Sequence, residues 1–223
     1  MKNILVVSVH PDDEAIGAGG TILKHAANND KIIWLIVTGM KSDYGYTSEE
    51  IDIRSNEIEI VKSLLGFSKI IQLNMRPAGL SDESLPHLIS KISEIIRDEI
   101  IEIVYTVNRS DAHSDHKITS QAVMASTKSF RQPNVKKVLM YECISETEFN
   151  SFPTDNPFIP NYYVDISEYL REKIKICEVY KSEFHEHPFP RSPKNIEALA
   201  TYRGAMAGVE YAEAFQLVKF IDK

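Results

Sequence analysis

Two short clusters of histidine and aspartate contain the residue types that metal-assisted catalysis requires. The first is His10-Pro11-Asp12-Asp13-Glu14, and the second is Asp111-Ala112-His113-Ser114-Asp115-His116. Imidazole nitrogens and carboxylate oxygens are the ligands that zinc and related divalent ions take in proteins. The two clusters together predict a divalent metal site.

The first cluster can supply both ligands and a base. His10 offers a ring nitrogen and Asp13 a carboxylate oxygen, across a turn that Pro11 constrains. Asp12 would then be free to accept a proton from an attacking water. The alternative interpretation is that the two aspartates only cap the helix that follows. The neighbouring histidine favours the metal site.

The second cluster places two histidines three residues apart at a predicted helix start, where both can face one cavity. A site assembled from both clusters would have three protein ligands: His10, Asp13 and His116. Such a site leaves a position for water, which is the pattern of a catalytic zinc. His113 would stay unligated, and Asp111 or Asp115 would hold its tautomer and raise its pKa. The alternative is that the two histidines are simply exposed on the surface of a helix. Two independent clusters, each at the end of a predicted strand, favour the metal site instead.

The elements that must position these clusters alternate between apolar runs and amphipathic stretches of helical length. Five runs indicate strands: Asn3–Val9, Lys31–Thr38, Lys69–Asn74, Ile101–Val107 and Val138–Ile144. Their near-continuous Ile, Val and Leu content is typical of strands covered on both faces. The alternation predicts a Rossmann-like three-layer α/β/α sandwich with a mostly parallel sheet, in one domain over residues 1–223. Each cluster follows a strand, at the sheet edge where ligands bind.

The remaining elements are predicted from spacing and punctuation. Helices are expected over Glu14–Ala27, Ser48–Leu65, Leu85–Arg97, Ser167 to about Lys181, and Asn195–Ala207, with a further strand at Tyr162–Ile166. Ser48 gives the second helix a capped start, and Gly66 ends it. The glycines at 17, 19 and 20 lack dinucleotide-binding spacing, which favours close packing of the first helix on the sheet. Proline-rich segments around Phe152–Phe158 and Phe189–Pro193 are expected to line the substrate site.

Composition limits the function classes. The chain has 25 basic and 32 acidic residues, a formal charge of −7, which argues against a nucleic-acid-binding protein. No apolar run approaches the length of a membrane span, and no signal-peptide cleavage site follows the first strand. Cys143 and Cys177 suggest buried thiols in a reducing compartment. A cytoplasmic protein acting on a small molecule is expected, with homo-oligomerisation left open.

The two clusters resemble those of the PIG-L/LmbE-like zinc-dependent deacetylases, which remove acetyl groups from N-acetylglucosamine-containing substrates. Their order, separation and placement at strand ends agree with the family pattern. Arg54 with Glu57 is similar to the arginine-containing helix after the family's second strand, and Ala212-Glu213-Ala214-Phe215 resembles its C-terminal signature.

The resemblance implies a role for each site residue. The matching zinc ligands are His10, Asp13 and His116, and Asp12 matches the general base. His113, supported by Asp115, matches the histidine that stabilises the oxyanion, in imidazolium form. Arg54 matches an arginine that contacts substrate hydroxyls or a phosphate. Ferrous iron is open as the ion, and a late tyrosine that assists the oxyanion in some members is replaced here by Asn195, with Tyr202 or Tyr211 as possible substitutes.

The sequence thus predicts a zinc-dependent hydrolase that removes the acetyl group from an N-acetylglucosamine-type sugar, glycoside or conjugate. Two alternatives stay open at this point. One is a metal-dependent amidase for a bulkier N-acyl conjugate, and the other is a non-catalytic protein that binds a sugar or nucleotide.

Overall fold

A computed structural model of the protein describes residues 1–80, 84–150 and 157–222. Within these ranges, seven strands form one sheet: β1 (Asn3–Ser8), β2 (Lys31–Thr38), β3 (Lys69–Met75), β4 (Ile103–Val107), β5 (Lys137–Tyr141), β6 (Tyr162–Asp165) and β7 (Ala212–Phe220). Six α-helices accompany them: α1 (Asp13–Ala27), α2 (Ser48–Leu65), α3 (Ser84–Asp98), α4 (Ser114–Ser126), α5 (Leu170–Cys177) and α6 (Pro193–Ala207). A short 3-10 turn lies at Ser42–Tyr44.

The strand order is β3-β2-β1-β4-β5-β7-β6. The first five strands in this order pair in parallel, and β7 pairs antiparallel with both β5 and β6. Chain order reverses between β1 and β4, and such a switch point opens a crevice beyond the carboxyl ends of the strands. The predicted mostly parallel α/β sandwich is therefore confirmed.

Two apolar layers cover the sheet. On one face, side chains of α1, α2, α5 and α6 pack against the strands, as Ile16, Ile58, Ile176 and Ile196 show. On the other face, α3 and α4 pack through residues such as Leu88, Ile92 and Val123. The central strands β1, β2 and β4 are almost wholly buried, as their uninterrupted apolar sequences predict. No helix in the described ranges is long and apolar enough to cross a membrane.

The C-terminal third departs from the sequence prediction. Residues Ala212–Phe220 form β7, a strand that the sequence analysis did not predict, and it inserts between β5 and β6. Its outer half alternates between half-buried and exposed residues, a weaker pattern than the apolar runs of the parallel strands. The helix expected from Ser167 to about Lys181 is shorter, because α5 covers only Leu170–Cys177.

The start of α2 is capped one residue earlier than predicted. Thr47, not Ser48, is the N-cap: its hydroxyl accepts from the Glu50 amide, and the Glu50 carboxylate accepts from the Thr47 amide. This reciprocal pair is a capping box. Gly66 ends the helix with φ 74°, as predicted, in the left-handed region that glycine adopts without strain.

The glycines of α1 allow the close packing that the sequence predicts. A Cβ at position 17 would overlap the ring of Tyr141 on β5, and a Cβ at position 20 would lie 2.7 Å from Ile166. Tyr141 is itself fixed, since it is fully buried and its hydroxyl donates to the Val7 carbonyl at 2.8 Å. The first helix therefore lies directly against β5.

We predict that Gly17→Ala destabilises the protein by about 1–3 kcal/mol, because the added methyl overpacks a ring that cannot move away. Gly19→Ala is the matched control: its Cβ would meet only the Lys173 side chain at 3.1 Å, and alanine also favours the helix. Urea unfolding of both variants measures the difference. Equal stability of the two would contradict the packing argument.

Candidate metal centre and active site

Adjacent strands bring the two clusters together. Strands β1 and β4 pair in parallel, with Val6 opposite Tyr105. The loop after β1 contains His10 and Asp12, and the loop after β4 leads to His113. The clusters are about a hundred residues apart in the chain, yet both lie over the same edge of the sheet.

The three residues predicted as metal ligands converge. His10, Asp13 and His116 each present one ligand atom, and these atoms lie within 4.8 Å of one another. Asp13 Oδ1 is 3.4 Å from His116 Nε2, and the His10 and His116 rings are 5.5 Å apart. Two imidazoles and one carboxylate form a donor set that suits zinc and related divalent ions. These residues could hold a divalent metal ion.

Surrounding groups orient two of these ligands. Asp13 Oδ2 accepts hydrogen bonds from the amides of Val9 and His10, both at 2.9 Å, which leaves Oδ1 facing His116. Nδ1 of His116 lies 2.8 Å from Asp111 Oδ2. This contact places a proton on Nδ1 and directs Nε2 toward Asp13, the arrangement of metal-binding histidines supported by a carboxylate.

Electrostatics in this pair favour the charged forms. Burial would raise the pKa of Asp13, but His116 and His10 outweigh it and hold that pKa below its usual value. Burial would likewise lower the pKa of His116, but Asp13 and Asp111 raise it to about 9. Metal binding must therefore displace a proton from His116, which couples affinity to pH.

The structure corrects the prediction for His113. Asp111 pairs with His116 rather than with His113, and the carboxylate of Asp115 accepts from the amides of Ala78 and Leu80. His113 Nδ1 accepts the Asp115 amide at 3.1 Å, so this nitrogen carries no proton. Burial, with His10 and His116 nearby, lowers the pKa of His113. These contacts favour a neutral imidazole with its proton on Nε2 over the expected imidazolium.

Asp115 belongs to a second group of residues that could bind a metal ion. His10, His113 and Asp115 also present atoms within 4.8 Å of one another, and His10 Nε2 lies 3.7 Å from Asp115 Oδ2. The Asp115 oxygens already accept two backbone hydrogen bonds, so this carboxylate anchors the segment around Ala78. The backbone amide of Asp115, not its carboxylate, orients His113.

Asp12 occupies a conformation that L-residues rarely adopt. Its φ is 146° and its ψ is −31°, and its side chain makes no helix cap, so the capping alternative fails for this residue. The Asp12 amide donates to Glu14 Oε2 at 3.2 Å, and Asp12 Oδ2 accepts from Arg191 Nη1 at 2.6 Å. Strained backbones of this kind cost energy and are held by their surroundings.

One oxygen of Asp12 is left over. Asp12 is only 2% exposed, and its Oδ1 has no hydrogen-bond partner among the described residues. Burial raises the pKa of the Asp12 carboxyl to about 7, against lowering by Arg191 and His10. An orphaned, buried carboxylate oxygen beside a set of metal ligands is placed to accept a proton.

Glu14 supports this conformation from below. It is fully buried, and its two oxygens accept from the Ser8 hydroxyl at 2.9 Å and from the Tyr180 hydroxyl at 2.7 Å. Trp34 donates in turn to the Ser8 hydroxyl at 2.8 Å. Burial raises the pKa of Glu14 to about 8. The residue joins the core of the sheet to the Asp12 amide.

A cavity of about 460 Å³ opens beside these residues. His10, Asp12 and His113 line its floor, and its walls come from the segment after β2, from α2 and from the end of β3, including Thr38, Tyr46, Ile51, Ser55, Gln72, Asn74 and Pro77. Arg54, Glu146, Glu183 and Arg191 complete the lining. His10, Asp12 and His113 therefore line a space large enough for a sugar, whereas Asp13 and His116 are not part of its lining.

The proline-rich segments contribute less to this cavity than expected. From Phe189–Pro193, only Arg191 lines it, while Phe158 lines a separate cavity together with Asn195 and Tyr202. Residues 152–156 lie outside the described part of the chain. Asn195 donates to the Pro190 carbonyl at 2.9 Å, so it does not replace a tyrosine at the first cavity.

Arg54, which the resemblance assigns to contacts with substrate, lines the cavity, but its nitrogens already lie against groups of the protein. Nη1 donates to the Pro11 carbonyl at 2.8 Å, and Nη2 to Glu183 Oε1 at 2.7 Å. Nε is 3.3 Å from Glu57 Oε2. The guanidinium is 5.4 Å from the Tyr180 ring centre, within cation–π range. These contacts hold the loop of the first cluster in place.

Two site residues were missed by the sequence analysis, Arg191 and Glu183. Arg191 is 179 positions from Asp12 in the chain, and no local spacing connects them. The only available signal was the proline-rich segment that contains Arg191, which was interpreted as a wall without a charged role.

Comparison with known proteins finds a matching family and several related deacetylases. The family described as PIG-L, GlcNAc-PI de-N-acetylase, matches residues 5–127, more than half of the chain. Diacetylchitobiose deacetylase of Thermococcus kodakarensis is 26% identical over 98% of this chain and 84% of that protein. A probable N-acetyl-alpha-D-glucosaminyl L-malate deacetylase 2 of Bacillus anthracis is 24% identical over 100% of this chain and 97% of its own.

A solved structure of a related protein has a similar fold. The N,N'-diacetylchitobiose deacetylase from Pyrococcus horikoshii, in complex with the inhibitor MPG, superposes with a TM-score of 0.78 at 26% identity. The match covers 98% of this chain and 84% of that chain.

We predict strong coupling between Arg191 and Asp12 in stability. At a pH well above the Asp12 pKa of about 7, Arg191→Met should cost about 3 kcal/mol, because it leaves a buried carboxylate without its cation. The same change in an Asp12→Asn background should cost at least about 1 kcal/mol less. Urea unfolding of the four proteins completes the cycle, with Arg97→Met, at an exposed pair, as the control. Additive losses would show that the 2.6 Å contact contributes nothing.

Proposed function

We propose, from the premise that this chain belongs to the PIG-L family, that it is a zinc-dependent deacetylase. Its substrate would be an N-acetylglucosamine-type sugar, glycoside or conjugate, and the reaction is hydrolysis of the acetamide to acetate and a free amine. The observation that carries the proposal is the unpartnered Oδ1 of Asp12, beside three convergent ligand residues and in the lining of a sugar-sized cavity.

The three ligands would be His10, Asp13 and His116. A divalent ion there supplies the electrophilic help that an amide needs, polarisation of the carbonyl and a lower pKa for water. Asp111 fixes the tautomer of His116, and two backbone amides fix Asp13, so the ligands are preorganised.

Asp12 would act as the general base. Its Oδ1 accepts a proton from the attacking water as the water oxygen bonds to the acetamide carbon. Arg191 holds Oδ2, so the carboxylate is presented with one oxygen free. The proton gained by Asp12 can then pass to the departing nitrogen when the carbon–nitrogen bond breaks, which balances the hydrolysis without an additional acid.

His113 would stabilise the oxyanion as a hydrogen-bond donor. Its Nδ1 accepts from the Asp115 amide, so Nε2 carries the proton that can be donated to the carbonyl oxygen. A neutral donor strengthens its hydrogen bond as negative charge develops on that oxygen. Asp115 acts through His113 and does not itself need to touch substrate.

Relatives support the substrate class. Two of them are named as deacetylases of diacetylchitobiose and one as a deacetylase of an N-acetylglucosaminyl malate. The common part of these substrates is an N-acetylated glucosamine. Polar uncharged groups in the cavity wall, such as Thr38, Gln72 and Asn74, suit the hydroxyls of that ring.

We predict that Asp12→Asn retains the metal but lowers the rate of acetate release by about 10²–10⁴-fold, because it removes the base. Asp13→Ala and His116→Ala should lose the metal as well. The measurements are metal content of the purified proteins and acetate release from N-acetylglucosamine and N,N'-diacetylchitobiose. Asp98→Asn, at an exposed position, is the control and should match wild type.

Several outcomes would overturn the assignment. Full activity of Asp12→Asn would exclude it as the base, and metal retention by His116→Ala would exclude that ligand. Zinc binding without acetate release from any N-acetylated sugar would indicate the non-catalytic alternative. Hydrolysis confined to bulkier N-acyl conjugates would indicate the amidase.

We predict that Asp111→Asn weakens zinc affinity by about 10–100-fold, because the partner that orients His116 loses its charge. Competition with a chromogenic chelator measures the affinity directly, without turnover. Asp43→Asn removes one exposed carboxylate elsewhere and should change nothing. Unchanged affinity in Asp111→Asn would mean that the 2.8 Å contact has no influence on the metal site.

A further inference from the structure

We propose that Glu183 makes this cavity selective for uncharged N-acetyl sugars and glycosides, and that sugars with a phosphate or carboxylate beyond the acetamide are rejected. The inference rests on the proposed function, since it specifies the substrate class of the same site. It derives from a chain of alternating charges along the cavity wall that keeps both arginines paired within the protein.

The chain of charges is continuous. Arg54 lies 3.3 Å from Glu57 and 2.7 Å from one oxygen of Glu183. The other oxygen of Glu183 lies 3.3 Å from Arg191, which reaches Asp12 at 2.6 Å. Among the described residues, Glu183 is thus the one carboxylate that bridges the two guanidiniums.

Each of the two guanidiniums in the described lining of this cavity is paired with carboxylates of the protein. Three carboxylates line it, those of Asp12, Glu146 and Glu183, against the two guanidiniums of Arg54 and Arg191. Arg191 is also 3.6 Å from Glu146 and donates from Nε to the Ser145 hydroxyl at 2.8 Å. Neither arginine offers a free fork to an incoming anion.

An anionic group would therefore be disfavoured twice. To bind a guanidinium, it must displace a carboxylate that is partly buried, and it then faces that carboxylate at close range. Like charges brought together at a binding site are a common means of rejecting the wrong ligand. A neutral sugar avoids both costs and can use the hydroxyl and amide groups of the wall, such as Ser55 and Asn74.

The side chain of Glu183 is 32% exposed, whereas that of Arg54 is 8% exposed. Glu183 can therefore be changed without opening the core, and its loss frees one position on each arginine. Glu183→Gln keeps the size and removes the charge. Glu186→Gln is the matched control: it removes the same charge from the same segment, at an exposed residue outside the cavity lining.

Acetate release from two substrates tests the proposal in the metal-loaded protein. N,N'-diacetylchitobiose is the neutral substrate, and N-acetylglucosamine 1-phosphate is the anionic one. We expect wild type and Glu186→Gln to prefer the neutral substrate by at least tenfold in kcat/KM. In Glu183→Gln this preference should fall at least tenfold. Added salt should restore part of the preference, because it screens the attraction between the phosphate and the freed arginines. An unchanged preference in Glu183→Gln, or a wild-type preference for the phosphate, overturns the proposal.

Binding of two sugars without an amide separates this inference from the proposed function. Methyl glucoside and glucose 1-phosphate cannot be deacetylated, and calorimetric titration gives their affinities for each protein. If wild type binds methyl glucoside more tightly than glucose 1-phosphate, the selectivity is supported even where no acetate is released from any substrate. Absence of acetate release would contradict only the proposed deacetylase activity. Tighter binding of glucose 1-phosphate to wild type overturns the selectivity, and this comparison holds even where Glu183→Gln does not fold.

Discussion

The parallel pairing of β1 with β4 is the interaction on which the site depends. Each strand is buried on both faces, so its position is fixed by the core and by a backbone register that places Val6 opposite Tyr105. The two loops that follow these strands therefore lie side by side at the same edge of the sheet. His10 and His116 come within ligand distance for that reason.

The same edge stores backbone strain in Asp12. A positive φ in a residue other than glycine costs about 1–3 kcal/mol, and here three groups compensate: Glu14 receives the Asp12 amide, Arg191 binds its carboxylate, and Arg54 holds the preceding Pro11 carbonyl. The compensation comes from α1, from α2 and from the segment before α6. The side chain of Asp12 is thus oriented by elements from the whole length of the chain, and its Oδ1 has no hydrogen-bond partner in the part of the chain that the structure describes.

Sequence reasoning succeeded where the signal is local. The apolar runs give β1 and β4, the cluster spacing brings His10, Asp13 and His116 to one edge, and the α1 glycines indicate close packing. It failed where the signal is a contact between distant segments. Strand β7 has a weak pattern in its outer half, and its antiparallel position depends on the edge that β5 leaves open. The neutral state of His113 depends on one backbone amide, that of Asp115, whose direction no residue type reveals.

The site residues found from local spacing and those found only through tertiary contacts lie in different parts of the chain and have different proposed roles. The family match covers residues 5–127, which include the three ligands, Asp12, His113 and Arg54. Glu183 and Arg191 lie beyond it, in the C-terminal third, and reach the site only through tertiary contacts. The residues proposed for the chemistry thus belong to the part of the chain that the family model matches, whereas the relatives align over nearly the whole chain. The charges that would choose among acetylated sugars belong to the part where the shared family pattern is not matched. Because Arg191 binds both Asp12 and Glu183, a change in substrate charge selectivity cannot be made there without also disturbing the base. Glu183 contacts the two arginines and the Ser182 hydroxyl but not Asp12, so it can vary with less consequence for the reaction.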